Sequence, residues 1–339
     1  MKAAVLHNFK TPLALEDVAR PVPGPDEVLV EVEACGVCHS DLHVADGDWP
    51  QLAKIVKKPL ILGHEIAGRV VEKGEAVNDH QIGDRVGVPW IFSSCGECEM
   101  CREGNENLCG KQQITGVSVD GGYAEFVKAP ARHATKIPDA LSSVEAAPLF
   151  CAGVTVYRAL KKAQLQPGQR LAVFGVGGLG HLAVQIGVGL GAEVTAIDVS
   201  EEKLAHAKSL GAAHTLNATA VDVGKDFRKR GGAHAVLVTS AANAAYDAAV
   251  PCVRPTGILL VVGLPADSLC FSPISMAGTE IRIQASAVGT RQDLREVLDM
   301  AAAGKVRCQV TSRPLADANA VLEDLRHGRI AGRVVLTPR

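Results

Sequence analysis

One short run narrows the possible architectures more than any other: Gly175-Val176-Gly177-Gly178-Leu179-Gly180. It matches G-x-G-x-x-G, follows the apolar stretch Leu171 to Phe174 and opens a helical pattern from about Leu179 to Leu190. A second apolar stretch, Glu193 to Ile197, ends at an acid, Asp198. In that setting each glycine has a task. Gly175 permits a tight turn, Gly177 lets the backbone approach a pyrophosphate, and Gly180 lets helix and strand pack closely. Gly178 and Leu179 complete the set, at a helix N-terminus whose free N–H groups and positive dipole end suit phosphates. Asp198 would accept hydrogen bonds from ribose hydroxyls and repel a 2′-phosphate. Val199, Ser200 and Glu201 offer no arginine to compensate, so NAD is expected rather than NADP.

The rhythm continues beyond the turn. Ser200 to Leu210 reads as an amphipathic helix with Ser200 as N-cap and Gly211 as stop. Ala235 to Val238 and Ile258 to Val262 read as strands, with a helix over Asn243 to Cys252 between them. Alternating strands and helices predict a doubly wound parallel sheet. The first 150 residues differ. Val28 to Ala34, Ile66 to Val71 and Arg85 to Pro89 read as short strands punctuated by Gly and Pro. Gly332 to Leu336 reads as a final strand that pairs back onto this first region. A length of 339 residues suits two domains.

Charge narrows the partners. Thirty-five basic residues against 37 acidic give a net charge of -2, which offers nucleic acid or an anionic membrane no electrostatic foothold. No run of eighteen apolar residues occurs, and Met1 to Lys10 lacks the apolar core of an export signal, so a cytoplasmic protein is expected.

Cysteine placement adds chemistry. Cys95, Cys98, Cys101 and Cys109 fall within fifteen positions, in a segment with little apolar periodicity. Four thiolates suit a tetrahedral zinc site with no open position, hence a structural one. The C-x-x-C-x-x-C run also occurs in iron–sulfur proteins, but the spacing to Cys109 and the absence of a following proline disfavour a cluster. Without an export signal, disulfides are the weaker reading. Cys38, His64 and Cys151 are too dispersed for spacing to link them. Chemically, two thiolates and an imidazole form a ligand set for catalytic zinc that leaves a fourth position open.

Five segments occur together in the order seen in zinc-containing medium-chain alcohol dehydrogenases. They are Gly36-Val37-Cys38-His39-Ser40-Asp41-Leu42-His43, Gly63-His64-Glu65, the four-cysteine lobe, Cys151-Ala152-Gly153-Val154-Thr155-Val156-Tyr157 and the glycine turn. The chain resembles that family over essentially its whole length, and its bacterial and yeast-type branch most. The resemblance implies an α/β two-domain protein. A β-rich GroES-like catalytic domain would span 1–149 and 287–339, and a Rossmann NAD-binding domain with a doubly wound parallel sheet would span 150–286.

It further implies that Cys38, His64 and Cys151 bind the catalytic zinc and that Cys95, Cys98, Cys101 and Cys109 bind a structural one. Glu65 resembles a carboxylate that serves as an alternate ligand. Asp41 resembles the acid that orients the zinc-bound imidazole. Ser40 resembles the hydroxyl that touches the substrate oxygen, and His43 the outer end of a proton relay. His39 and Arg333 resemble contacts to the cofactor pyrophosphate, Lys203 a contact to the adenosine ribose, and Thr155 and Val262 neighbours of the nicotinamide. Trp49 and Trp90 fall near the substrate-pocket walls, where bulky rings favour short primary alcohols. The expected activity is hydride transfer between such alcohols and NAD, in a homotetramer. A polyol or other secondary-alcohol dehydrogenase is disfavoured by the retained Cys151 and four-cysteine lobe. A non-catalytic nucleotide-binding zinc protein is the other alternative, and the acidic residues Glu97, Glu99, Glu103 and Glu106 argue against a nucleic-acid-binding version of it.

Overall fold

The computed structural model describes residues 1–265 and 267–338. The chain divides into two compact units. The first comprises Met1–Ala152, Thr290–Ala302 and Cys308–Arg339, and the second comprises Gly153–Gly289 and Ala303–Arg307. The crossings thus fall at 152/153 and 289/290, against the expected 149/150 and 286/287, and a five-residue return, Ala303–Arg307, joins the second unit. No helix among the described residues is long and apolar enough to cross a membrane.

The first unit is built on a sheet whose centre is the long strand Glu27–Val37. Alternation buries Val28, Val30 and Val32 and pairs the strand antiparallel with Glu65–Lys73 on one side and Arg333–Thr337 on the other. The expected pairing of the last strand onto the first region is therefore present, and Val310–Pro314 adds a parallel neighbour beyond it. Buried side chains such as Leu6, Leu60, Ile66, Tyr123 and Leu336 fill the core of this unit.

The second unit carries an all-parallel sheet. In spatial order its strands are His214–Asn217, Glu193–Asp198, Arg170–Phe174, Ala233–Val238, Val253–Val261 and Arg282–Ala285. That is the 3-2-1-4-5-6 order of a dinucleotide-binding sheet, with its reversal beside Arg170–Phe174. Three elements differ from expectation. The helix expected to Cys252 is α-helical only over Asn243–Ala249, because Pro251 lacks an N–H and the chain tightens into a 3-10 turn over Val250–Cys252. The edge strands His214–Asn217 and Arg282–Ala285 lack a buried face, so no apolar alternation marks them.

Candidate active site and nucleotide-binding turn

Cys38 closes the strand Glu27–Val37 and caps the helix His39–Asp46. Its backbone N–H donates to Asp41 Oδ2 at 2.8 Å, which fixes the strand-to-helix bend. His64 precedes the strand Glu65–Lys73, after Gly63, whose φ of +96° and tight packing against Tyr123 leave no room for a side chain. Cys151 follows the 3-10 turn Ala147–Phe150, where the buried Phe150 ring occupies the space a side chain at Gly87 would need.

These elements bring Cys38, His64, Glu65 and Cys151 together. Each offers one ligand atom, all four lie within 4.8 Å of one another, and all four residues are buried. The protonation pattern follows from the hydrogen bonds. His64 Nδ1 lies 2.9 Å from the Asp41 carboxylate, an acceptor, so the ring proton sits on Nδ1. Among the described residues His64 Nε2 is left buried without a hydrogen-bond partner, facing the two sulfurs. An orphaned imidazole nitrogen beside two cysteines fits zinc: it is a donor set that wants a cation, and burying it without one is costly.

The electrostatics agree. The hydrogen bond from the Cys151 thiol, with His64 and Arg333 nearby, pulls Cys38 well below the usual thiol range, while Cys151, donating that hydrogen bond, is pushed up. Burial alone would lower the His64 pKa, yet the Asp41 carboxylate and Cys38 together hold the ring well above its ordinary value, so a metal binding at Nε2 displaces a proton there. Burial pushes Glu65 up to about 7, against the pull of Arg333.

Asp41 is the hub. Oδ1 accepts from His64 and from the Gly63 N–H at 3.2 Å, and Oδ2 accepts from Cys38 and from the Tyr123 hydroxyl at 3.1 Å. Tyr123 escaped the sequence reading, since a lone tyrosine 82 residues away carries no local signal. Arg333 pairs with Glu65 Oε1 and is buried, a partner the sequence reading did not foresee. Gly36 makes that acid possible, because a Cβ there would overlap Glu65 Oε2.

Around this centre, Ser40 Oγ lies 3.7 Å from Cys38 Sγ. His43 follows three residues later on the same helix, on the same side as Ser40. Its Nδ1 is 3.2 Å from Asp48 Oδ2, and its ring is 4.6 Å from that of Trp49. Trp90 meets the His64 ring edge-on at 4.7 Å, whereas Trp49 contacts His43. His39 is exposed on the first turn of the helix.

The four-cysteine lobe is equally well gathered. Cys95, Cys98, Cys101 and Cys109 also place their sulfurs within 4.8 Å of one another. Backbone N–H groups point at those sulfurs. Cys98 N lies 3.4 Å from Cys95 Sγ, and Lys111 N lies 3.4 Å from Cys109 Sγ. Such donors favour thiolate, and Cys95 is lowered to about 6 by backbone hydrogen bonds from Glu97 and Cys98.

In the second unit, Gly175 follows the strand Arg170–Phe174 in the left-handed region, with φ of +87°. Gly177 has open space where a Cβ would stand, and a Cβ at Gly180 would overlap the Gly175 carbonyl oxygen. The Asp198 carboxylate accepts from Val176 N at 2.7 Å, Val199 N at 2.8 Å and Ser200 N at 3.0 Å, so it ties the turn to the next strand. Thr239 Oγ1, 2.8 Å from the Gly175 carbonyl, is a further support that the sequence did not reveal. Gly178 and Leu179 precede the helix Gly180–Gly189. Lys203 is exposed on the helix Glu201–Ser209, Val262 is buried just after the strand Val253–Val261, and Thr155 is half-buried on the helix Ala152–Ala163.

Known proteins resemble the chain over nearly its whole length. A family model described as "Alcohol dehydrogenase GroES-like domain" matches residues 24–139, and one described as "Zinc-binding dehydrogenase" matches 178–303. An alcohol dehydrogenase of Geobacillus stearothermophilus is 47% identical over 337 residues, 99% of this chain and 99% of its own. The crystal structure of the alcohol dehydrogenase from Aeropyrum pernix superimposes with a TM-score of 0.93 at 38% identity, covering 100% of both chains. The acetophenone reductase of Geotrichum candidum, solved in complex with NAD, gives 0.90 at 35% identity, covering 99% of this chain and 96% of its own. With a buried two-cysteine, one-histidine centre, a second four-cysteine cluster and near-complete coverage by these relatives, the chain belongs to the zinc-dependent medium-chain alcohol dehydrogenases.

Proposed function

We propose that this alcohol dehydrogenase oxidises short primary and some secondary alcohols with NAD, and reduces the matching aldehydes and ketones. One observation carries the reading: His64 Nε2, buried and unpartnered, faces two cysteine sulfurs while Asp41 holds its other nitrogen. When bound, zinc supplies Lewis acidity to the substrate oxygen and NAD accepts the hydride.

The chain's own residues do the rest. Cys38, His64 and Cys151 would hold the catalytic metal, three protein ligands that leave it open to substrate. Asp41 keeps His64 in the ligating tautomer. Glu65, beside the ligand set, is the alternate donor, and Arg333 balances its charge. The Ser40 hydroxyl takes the substrate hydroxyl proton and His43 passes it to solvent, with Asp48 steadying the imidazole. Trp90, braced on His64, narrows the pocket, and Trp49 shapes it less directly through His43. Gly175, Gly177, Gly178, Leu179 and Gly180 cradle the cofactor pyrophosphate, with His39 and Arg333 as further hydrogen-bond donors. Asp198 and Lys203 hold the adenosine ribose, and Thr155 and Val262 flank the nicotinamide. Asp198 keeps unused lone pairs after its three backbone contacts, so it can still accept from a ribose.

Cys95, Cys98, Cys101 and Cys109 hold a second zinc that replaces a hydrophobic core in their lobe. A four-cysteine cluster kept for metal fits a reducing compartment such as the cytoplasm. The family's bacterial and yeast branch supports a homotetramer, which light scattering would measure. The deciding experiment adds NAD and ethanol or propanol to the purified protein, follows NADH absorbance and counts zinc. Two zincs per chain with NADH formation is the expected result. One zinc and no NADH with any alcohol of a broad panel would reject the assignment.

A further inference from the structure

A second cluster of cationic side chains lies at the other end of the parallel sheet, five strand residues, or about 16 Å, from the glycine turn. Arg170 begins the strand Arg170–Phe174. Its Nε donates to the Gly232 carbonyl at 2.7 Å and its Nη2 to that of Gly231 at 3.3 Å, leaving Nη1 uncommitted. Its backbone N–H donates to His234 Nδ1 at 3.1 Å. Nδ1 is thus the acceptor nitrogen, and His234 carries its proton on Nε2, as a donor.

The third member arrives through an irregularity. The strands Ala233–Val238 and Val253–Val261 pair at Ala233–Val253 and resume at Ala235–Ile258, so one residue, His234, faces four, Arg254 to Gly257. Thr256 adopts φ of +64°, a region a β-branched residue seldom enters. Bulges of this kind re-aim side chains. Here the extra residues put Arg254 against the Gly231-Gly232 turn. A Cβ on Gly232 would stand 2.9 Å from Arg254 Cβ, and one on Gly231 would stand 3.5 Å from Arg170 Nη2. Arg254 is half-buried, and among the described residues its guanidinium has no hydrogen-bond or ion-pair partner.

Nearby acids are already engaged. Glu193, beside Arg170 in the sheet, pairs with His214 at 3.3 Å. Asp226, on the helix Val223–Lys229, pairs with Arg230 at 2.5 Å. Asp222 caps that helix through Lys225 N at 2.8 Å. Burial, with Arg170 and Arg254 alongside, lowers the His234 pKa, as expected of a ring among cations that lack an anion.

We propose that Arg170, Arg254 and His234 form an oxyanion-binding site, separate from the cofactor turn, that takes a small phosphate-bearing molecule. Two guanidiniums can grip the oxygens of one phosphoryl group from two sides, and His234 Nε2–H supplies a third donor. Nothing apolar is needed for recognition, so inorganic phosphate and an organic phosphomonoester share the chemistry.

The test uses the zinc-loaded enzyme saturated with NADH, which blocks the glycine turn. Inorganic phosphate and glycerol 3-phosphate are titrated separately by calorimetry, and His234 ring signals are followed by NMR. Saturable binding is expected, with His234 signals shifting. Arg254→Gln should weaken it about tenfold or more, Arg254→Lys less, and alcohol turnover should be unchanged in both. His234→Asn gives a second, milder loss. Tighter binding of the ester than of phosphate assigns a metabolite, and equal binding assigns the inorganic ion. No saturable binding, or equal affinity in wild type and Arg254→Gln, overturns the site.

Discussion

Asp41 shows how much one carboxylate can organise. Its two oxygens receive a ligand imidazole, two backbone N–H groups and a tyrosine hydroxyl. Asp41→Asn keeps the shape but removes the charge that sets the His64 tautomer. Catalytic zinc affinity should fall about ten- to a hundredfold, read as zinc lost on dialysis against a chelator, while the four-cysteine metal stays. Full zinc retention and unchanged turnover would remove Asp41 from the mechanism. Asp198 makes a different case. Its carboxylate, proposed to meet a ribose, also ties Val176 to its strand, so Asp198→Gly should lower the NAD-to-NADP preference and also raise KM for both cofactors. A change in ratio without a rise in both would separate the two roles.

Elements sharpen the argument where a turn or lobe acts as a unit. In the glycine turn, a methyl on residue 180 collides with the Gly175 carbonyl. Gly180→Ala should therefore displace the turn, raising KM for NAD and lowering Tm with zinc content intact. The four-cysteine lobe is tied to the helix Arg291–Ala302 by Glu106, whose Oε1 accepts from Arg291 N at 3.0 Å and Arg291 Nε at 3.2 Å. Beneath the lobe lies His133, 3.1 Å from Ser94 Oγ and lowered to about 4 by burial and by Arg291 and Arg132. Between its unfolded value of about 6.5 and this folded value, the unfolded chain binds the proton and the folded one does not. His133 therefore costs stability progressively as pH falls through that window. Tm of His133→Asn should fall less steeply from pH 6.5 to 4 than wild type, and parallel curves would contradict this.

Across the whole molecule, legibility tracked distance along the chain. The glycine turn with Asp198 and the run Cys95 to Cys109 are local, so spacing and chemistry exposed them. Cys38, His64 and Cys151 could be joined only by likeness to a family, because three single residues in separate segments carry no period. Tyr123 and the Glu65–Arg333 pair stayed hidden for the same reason, at separations of 82 and 268 residues. Val28 to Ala34 was legible by alternation, whereas Phe126–Pro130, with alternate residues buried, and the sheet edges, which bury no face, were not. Cys38→Ser tests the assembled centre as a whole: turnover with ethanol should fall to near background while NADH still binds. An enzyme of wild-type rate would show that the gathered residues are not the reacting site.

The last strand, Arg333–Thr337, has a consequence for how the protein is made. Glu65 leaves the ribosome 268 residues before the arginine that neutralises it. At about 5–20 residues per second, that is roughly 13–54 seconds of translation. Throughout that interval the nascent first unit holds an acid it cannot bury cheaply. A premature stop just before codon 333 would make this permanent, and a buried carboxylate stripped of its partner costs about 3–5 kcal/mol.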